Sequence, residues 1–308
     1  MPVIQTNGLS KHYAAKGGRV HALDQLTLSV NQGEIFGYLG PNGAGKTTTI
    51  RMLLDLIRPT EGSASIFGMD VRANSVTLRR RIGYLPGELN LWDNETAADI
   101  VRYFARVRGG VDMVFVRQLA ERLEFDMNRK MRTYSTGNKR KIGIILALMH
   151  KPELLILDEP TSGLDPLMQQ VFIQLMQEAR QNGQTVFLSS HMLSEVQAVC
   201  DRVGIIRSGK LQTVDSVTAL TKVNFRWVSL TMKEAVPADL FEKVPGIEEV
   251  SVSGNSASMR LSGDIQPLLT AVGNRYLVDL RTQDPTLEEV FLTYYGDLPA
   301  VNGHSRRA

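Results

Sequence analysis

The run Gly40-Pro41-Asn42-Gly43-Ala44-Gly45-Lys46-Thr47-Thr48 constrains this chain more than any other stretch. It fits the pattern G-x-x-x-x-G-K-[ST] of a phosphate-binding loop. The apolar residues 35–39 before it read as a buried strand, and Thr49, Ile50, Met52, Leu53, Leu54 and Leu56 after it follow a helical period. Strand, glycine loop and helix in that order are the context the motif requires. Successive backbone N–H groups must wrap an oxyanion, and side chains would block their approach. Glycines at 40, 43 and 45 are expected to permit the tight curvature and positive φ values. A helix beginning near Lys46 turns its free N–H groups and positive dipole end toward the same anion. Lys46 adds a mobile charge for the outer phosphates, and the Thr47 hydroxyl is placed to ligate Mg²⁺.

Composition narrows what surrounds that loop. The 308 residues suffice for one large domain with a smaller one, or for two. Apolar residues make up 43% and charged residues 22%, an ordinary globular balance. The net charge of +3 gives no argument for nucleic acid. A single cysteine, Cys200, excludes an internal disulfide, and its apolar helical context predicts burial. The first residues show no basic region followed by an apolar core, so no secretory signal is expected. The longest apolar run, 142–149, falls well short of the roughly 20 residues of a spanning helix. A membrane role is therefore expected to run through a partner.

Residues 1–33 read as short strands and turns, and 63–67 as a further strand. From 87 to about 151 the pattern becomes helical, with stripes at Ile100, Val101, Phe104, Ala105, Val107, then Val114, Val116, Leu119, Ala120, Leu123, then 139–149. The apolar runs 154–157, 185–188 and 203–206 predict parallel strands buried on both faces. An α/β core is thus interrupted by a helical insertion. Residues 222–296 alternate strand (227–232), helix (237–244), strands (249–252, 257–261), helix (265–272), strand (277–280) and helix (287–295), a small α+β domain. Residues 297–308 read as a flexible tail.

The run 154–157 ends in Asp158-Glu159. A parallel strand beside the loop's own strand would deliver both carboxylates to the phosphates, because such sites lie at strand carboxyl ends. Asp158 would hold Mg²⁺ directly or through water, and Glu159 would polarise the attacking water.

With these residues the chain resembles an ABC-type ATPase, the ATP-binding subunit of an ABC transporter, over roughly residues 3–215. The family's marks occur in order: Tyr13 at the adenine-stacking position, the loop Gly40–Thr48, Tyr134-Ser135-Thr136-Gly137-Asn138 at the signature, Asp158-Glu159, Ser162-Gly163-Leu164-Asp165 at the D-loop and Ser189-Ser190-His191 at the switch histidine. The resemblance implies a P-loop (RecA-like) core with an N-terminal antiparallel β subdomain, within a nucleotide-binding domain of residues 1–220 whose helical subdomain spans about 87–151. It implies ATP and Mg²⁺ as ligands and hydrolysis to ADP and phosphate. Ser135 resembles a helix N-cap, and its hydroxyl with the Gly137 N–H would form a second anion site. In the family that site serves ATP held by the other subunit, so a head-to-tail homodimer is implied. His191 would hydrogen-bond the γ-phosphate.

Two departures stand out. Thr136 and Asn138 replace a glycine and the glutamine of the signature, while Ser135 and Gly137 remain. At the Q-loop, after Ile82-Gly83-Tyr84-Leu85-Pro86, the expected glutamine is Gly87, leaving Glu88 as its possible substitute. Leu91 and Trp92 beyond it either pack the helical subdomain or line the groove that receives a helix of the membrane subunit. The basic clusters 79–81, 129–132 and 139–141 read as solvated helix faces, with anionic lipid headgroups as the alternative. The resemblance favours an ABC-2-type or multidrug exporter: an ATPase on the cytoplasmic face of the membrane, driving a separate permease. A soluble ABC ATPase acting on ribosome or DNA is the rival, but the tandem modules or long coiled coil of such proteins are missing. A kinase would lack the signature and the switch histidine.

Overall fold

A computed structural model describes residues 1–15, 18–221, 225–237, 239–273 and 275–283. The chain divides into two compact units, Met1–Val217 and Thr218–Ala308.

In the first unit, β1 (Pro2–Ala15) and β2 (Gly18–Asn31) pair antiparallel over their length. Then β3 (Ile35–Leu39) leads through the glycine loop into α1 (Lys46–Leu53). The strands β4 (Glu61–Ile66) and β5 (Met69–Asp70) complete a four-stranded sheet of order β2-β1-β4-β5. The chain continues through α2 (Ser75–Arg81) and β6 (Ile82–Leu85) into three insertion helices, α3 (Ala97–Val107), α4 (Met113–Arg122) and α5 (Thr136–Leu148). It returns as β7 (Leu154–Asp158), α6 (Pro166–Gln181), β8 (Thr185–Ser190), α7 (Leu193–Val199), β9 (Arg202–Arg207) and β10 (Lys210–Ser216), and α8 (Val217–Thr221) runs from the last residue of this unit into the next.

The second sheet has order β10-β9-β3-β8-β7-β6, parallel except for the antiparallel edge strand β10. Its central strands β3, β7 and β8 are buried at every position, the reason their sequences are apolar without alternation. One core joins the two sheets around α1. Ile4, Leu26 and Val30 from the antiparallel sheet, Ile50 from α1, and Phe36, Tyr38 and Phe187 from the parallel sheet are all 0% exposed. Phe36 and Phe187 stack at 5.9 Å between ring centroids. Each such side chain contributes about 1.5–3 kcal/mol by leaving water, so the loop between β3 and α1 is anchored at both ends.

Local signals set the insertion helices. Thr96 and Asp99 form a reciprocal capping box on α3, and Asp112 caps α4. The helix α5 begins at Thr136, three residues earlier than its apolar stripe suggests, because the Ser135 hydroxyl accepts from Asn138 N at 3.3 Å. Cys200 is buried, as its pattern predicts, and burial pushes its thiol pKa up.

The second unit contains β11 (Phe225–Met232), β12 (Ile247–Ser253), β13 (Ser256–Ser262), α9 (Gln266–Val272) and β14 (Leu277–Gln283). Its antiparallel sheet, of order β12-β13-β11-β14, buries Val228, Leu230, Met259 and Leu261 with Leu268 of α9. Residues 239–243 form turns where the sequence suggests a helix; Phe241, 1% exposed, is held in the core by turn geometry instead. The helix expected at 287–295 and the tail 297–308 lie outside the described residues.

Candidate functional site

The glycine loop joins the carboxyl end of β3 to the N-terminus of α1. Gly43 has φ 80° and Gly45 φ 109°, left-handed values that glycine adopts without strain. Gly40 differs from the expectation: its φ is not positive. Glycine is needed there because a Cβ would stand 2.3 Å from the carbonyl oxygen of Ile206, a backbone atom of β9. A Cβ at Gly43 would meet nothing within 4 Å, so glycine is required there by its left-handed φ and not by lack of space.

Lys46 is 6% exposed. Its Nζ donates to the carbonyls of Gly40 (2.6 Å) and Pro41 (3.2 Å) and lies 3.1 Å from Glu159 Oε1. Thr47 Oγ1 donates to Asp158 Oδ2 at 2.8 Å.

Asp158 does not arrive on the strand next to β3, as the sequence suggested. The strand β8 lies between β3 and β7. Ser189 of β8 closes the gap: its Oγ donates to Asp158 Oδ1 at 2.5 Å and accepts from Glu159 N at 3.1 Å. Asp158 itself is 0% exposed. Its two oxygens are thereby fixed, one by Ser189 and one by Thr47, which satisfies a carboxylate in a site it could not otherwise occupy.

Glu159 follows with φ 50°, a left-handed conformation that strains a non-glycine residue. The turn swings its carboxylate back over the loop, between Lys46 on Oε1 and His191 on Oε2, whose Nδ1 is 2.6 Å away. His191 follows β8, so loop, acid pair and histidine converge at the ends of β3, β7 and β8.

The other expected residues lie around this centre. Gly137 packs so closely on the 162–165 turn that a Cβ would come 2.5 Å from Gly163 O. Ser135 caps α5 next to it. Tyr13 on β1 is 44% exposed, with Lys11 Nζ 5.1 Å from its ring centroid. Gly87 lies against Asp158; a Cβ there would be 3.2 Å from Oδ2. Glu88 is exposed and joins no hydrogen bond or ion pair among the described residues. Trp92 packs on Tyr103 (4.9 Å) and Phe104 (6.2 Å) yet remains half exposed. It walls a cleft with Asp93, Glu95 and Asp99.

Two contributors were missed by sequence reasoning. Arg140 belongs to the cluster 139–141 read as solvated charge, but Arg140 and Lys141 are 6% and 8% exposed. The Arg140 guanidinium donates to the carbonyls of Pro86 (2.7 Å) and Gly87 (2.9 Å) and reaches Ser162 O at 3.4 Å. Burial lowers its pKa, opposed by the nearby charges of Asp158 and Glu159. The one available signal was position: a charge two residues before the buried apolar run that begins at Ile142. Glu195 of α7 is the second. It accepts from Ser190 Oγ at 2.7 Å and contacts Thr161 Oγ1, tying the end of β8 to the turn after Glu159.

The family model described as ABC transporter matches residues 23–162. The bacitracin transport ATP-binding protein BcrA of Bacillus licheniformis is 39% identical over 75% of this chain and 76% of its own. The linearmycin resistance ATP-binding protein LnrL of Bacillus subtilis is 31% identical over 96% of this chain and 98% of its own, an alignment that takes in the second unit as well. A solved ATP-binding subunit of an ABC transporter superposes with a TM-score of 0.64 at 29% identity, covering 71% of this chain and 92% of that one. The chain belongs to the ABC transporter ATP-binding family. It is an ATP-binding subunit and an ATPase, with the P-loop α/β fold its sequence predicts.

Proposed function

We propose that this chain is the ATP-hydrolysing subunit of an exporter, pairing head to tail with a second copy and driving a separate membrane permease. The observation that carries the hydrolytic part is the single cluster in which Glu159 Oε1 meets Lys46, Glu159 Oε2 meets His191, and Thr47 meets Asp158.

The donor set fits a nucleotide with Mg²⁺. The backbone of the glycine loop, the N-terminus of α1 and the Lys46 ammonium suit the phosphates of ATP, contacted along residues 40–48. A hydroxyl oxygen beside a buried carboxylate suits a hard cation, so Thr47 and Asp158 would hold Mg²⁺. When bound, the ion supplies charge neutralisation on the phosphate oxygens. Phosphate draws Lys46 from the loop carbonyls. Glu159, released from one cation, then accepts the proton of the attacking water. His191 holds Glu159 in place through Nδ1, and with both ring nitrogens protonated it would also donate from Nε2 to the γ-phosphate. Tyr13, exposed on β1, stacks on adenine. Glu88, exposed next to Gly87, is the residue that would stand in for the Q-loop glutamine; the alternative is a site that works without that ligand.

Ser135, exposed at the N-cap of α5, and Gly137 beside it make no contact with Lys46 or Glu159 among the described residues, and in this reading they complete the site of a second copy in trans. The Trp92–Tyr103–Phe104 cluster with its acidic rim supports docking of a permease segment that is apolar with basic flanks. No helix of the described residues is long and apolar enough to cross a membrane; in this reading the chain is held at the cytoplasmic face through that permease. Residues 222–296 are an accessory α+β domain in this reading. The names of the relatives BcrA and LnrL, a transport protein and a resistance protein, favour export.

The test is Glu159→Gln. The variant binds ATP·Mg²⁺ with wild-type affinity, hydrolyses it about 10²–10⁴-fold more slowly, and elutes as a dimer in sizing chromatography with ATP. Turnover within twofold of wild type removes Glu159 from the role of base, and a monomer under these conditions removes the head-to-tail pair.

A further inference from the structure

We propose that His12, His21 and Asp24 form a site for a divalent transition cation of zinc chemistry, on the hairpin that flanks the nucleotide loop. His12 and His21 face each other across β1 and β2, with ring centroids 4.1 Å apart. A bulge brings Asp24 to them. Lys11 pairs with Leu23 and His12 with His21, so β2 spends one extra residue, Ala22, between consecutive pairs. Side chains alternate along a strand, and an inserted residue re-aims those beyond it. The bulge thus brings Asp24 to the side of His21. One donor atom from each of the three residues lies within 4.8 Å of the other two.

The second observation is His12 itself. Both of its ring nitrogens are sealed from solvent and have no hydrogen-bond partner among the described residues. A neutral imidazole has one donor and one acceptor to satisfy, and burying both unbonded is costly and uncommon. A cation shared with His21 and Asp24 satisfies the acceptor nitrogen. Among the described residues the Asp24 carboxylate is held by Lys210 Nζ at 3.4 Å, a two-thirds exposed ammonium that a divalent ion displaces.

Two imidazoles and one carboxylate select the ion. Nitrogen donors suit Zn²⁺ and its neighbours, whereas Mg²⁺ prefers oxygen, so this site does not compete for the metal of the nucleotide. Metal–nitrogen bonds of about 2.0–2.1 Å require the donors to close to roughly 4 Å or less, a torsional adjustment open to exposed His21 and part-buried Asp24. Three protein ligands leave a further coordination position open to solvent.

The site is wired to the loop. Asp24 N donates to Gly209 O at 2.8 Å, and Gly209 N donates to Ala44 O at 3.0 Å. Ala22 O lies 2.5 Å from where a Cβ of Gly45 would stand. The ion therefore clamps the hairpin on which the glycine loop rests and which carries Tyr13.

The experiment uses the full chain, nucleotide-free and stripped with a chelator, titrated with ZnCl₂ against a chromophoric competitor. Wild type binds one Zn²⁺ at micromolar or lower concentration, and its thermal midpoint rises. His21→Gln and Asp24→Asn, both near-isosteric and at partly exposed positions, weaken this binding at least about 100-fold and lose the thermal shift. His191→Ala, which removes the other histidine–carboxylate pair, retains both. Millimolar Mg²⁺ leaves the binding unchanged. The proposal falls if wild type shows no saturable micromolar Zn²⁺ binding. It falls equally if both His21→Gln and Asp24→Asn, verified as folded by circular dichroism, bind as tightly as wild type, or if the binding is lost in His191→Ala alone.

Discussion

Replacing Arg140 by alanine tests whether its buried fork organises the site. The guanidinium makes two short bonds, to Pro86 O at 2.7 Å and Gly87 O at 2.9 Å. Hydrogen bonds from a charged donor contribute about 1.5–3 kcal/mol each, so the gross loss is about 3–6 kcal/mol. Two effects reduce it. Burial already costs the charge, as its lowered pKa shows, and alanine recovers that desolvation. Pro86 and Gly87 are also partly exposed, so water reaches the abandoned carbonyls. The net expectation is about 2–3 kcal/mol. With a urea slope near 3 kcal/mol/M for a unit of this size, the midpoint falls by about 1 M. Arg140→Lys, with one compact ammonium for two carbonyls, recovers roughly half. Turnover reports the functional side: kcat falls because Gly87 no longer sits fixed against Asp158, while KM for ATP changes little because Lys46 and the loop are untouched. A midpoint within about 0.3 M of wild type, together with unchanged kcat, refutes the assignment.

The other expectations concern the loop and a buried histidine. Gly40→Ala places a methyl 2.3 Å from Ile206 O, a backbone atom that cannot yield without moving β9; it lowers stability by about 1–3 kcal/mol and weakens nucleotide binding, read by thermal unfolding and equilibrium titration, and an unperturbed variant would show that the loop tolerates the Cβ. His150 sits against Ile82 O, with its pKa pushed down from 6.5 to about 4 by burial first and by Arg108 second. The unfolded chain takes up this proton at a higher pH than the folded one, so the contribution is intact above about 6.5 and is lost as pH falls toward 4. The full linkage is about 3 kcal/mol, and roughly half remains after allowing for partial exposure; denaturation of wild type and His150→Gln across that window measures it, and parallel pH profiles would contradict it.

Much of the site was legible because local chemistry and strand position coincide. The loop from Gly40 to Thr48 has only one job that explains its residues, and Asp158, Glu159 and His191 each stand just past an apolar run. Strand order was not legible. A one-dimensional pattern gives the strands but not that β8 intervenes between β3 and β7, so Ser189 as the bridge to Asp158 emerged only in three dimensions. The reason for Gly40 was hidden likewise, since Ile206 lies 166 residues further along the chain. The turns at 239–243 carry the apolar spacing of a helix because Phe241 must reach a core. Burial without helix produces the same letters.

Arg140 joins two sequence departures that looked unrelated. Gly87 stands where the resemblance leads one to expect glutamine, and the basic cluster 139–141 seemed merely solvated. Their geometry is one arrangement. A Cβ at residue 87 would lie 3.2 Å from Asp158 Oδ2, closer than most side chains tolerate without moving a neighbour. Glycine lets the 86–87 backbone itself approach Asp158. A backbone held that near lacks a side chain to anchor it, and the Arg140 fork provides the anchor through the two carbonyls. Because the same guanidinium reaches Ser162 O, the turn after Glu159 and the start of α5 are tied to the strand end that carries Gly87. A shift of α5, whose N-cap is Ser135, therefore pulls through Arg140 on the backbone beside Asp158. Contact at Ser135 thus has a short mechanical route to the carboxylate that Thr47 holds, through α5, Arg140 and Gly87 in turn.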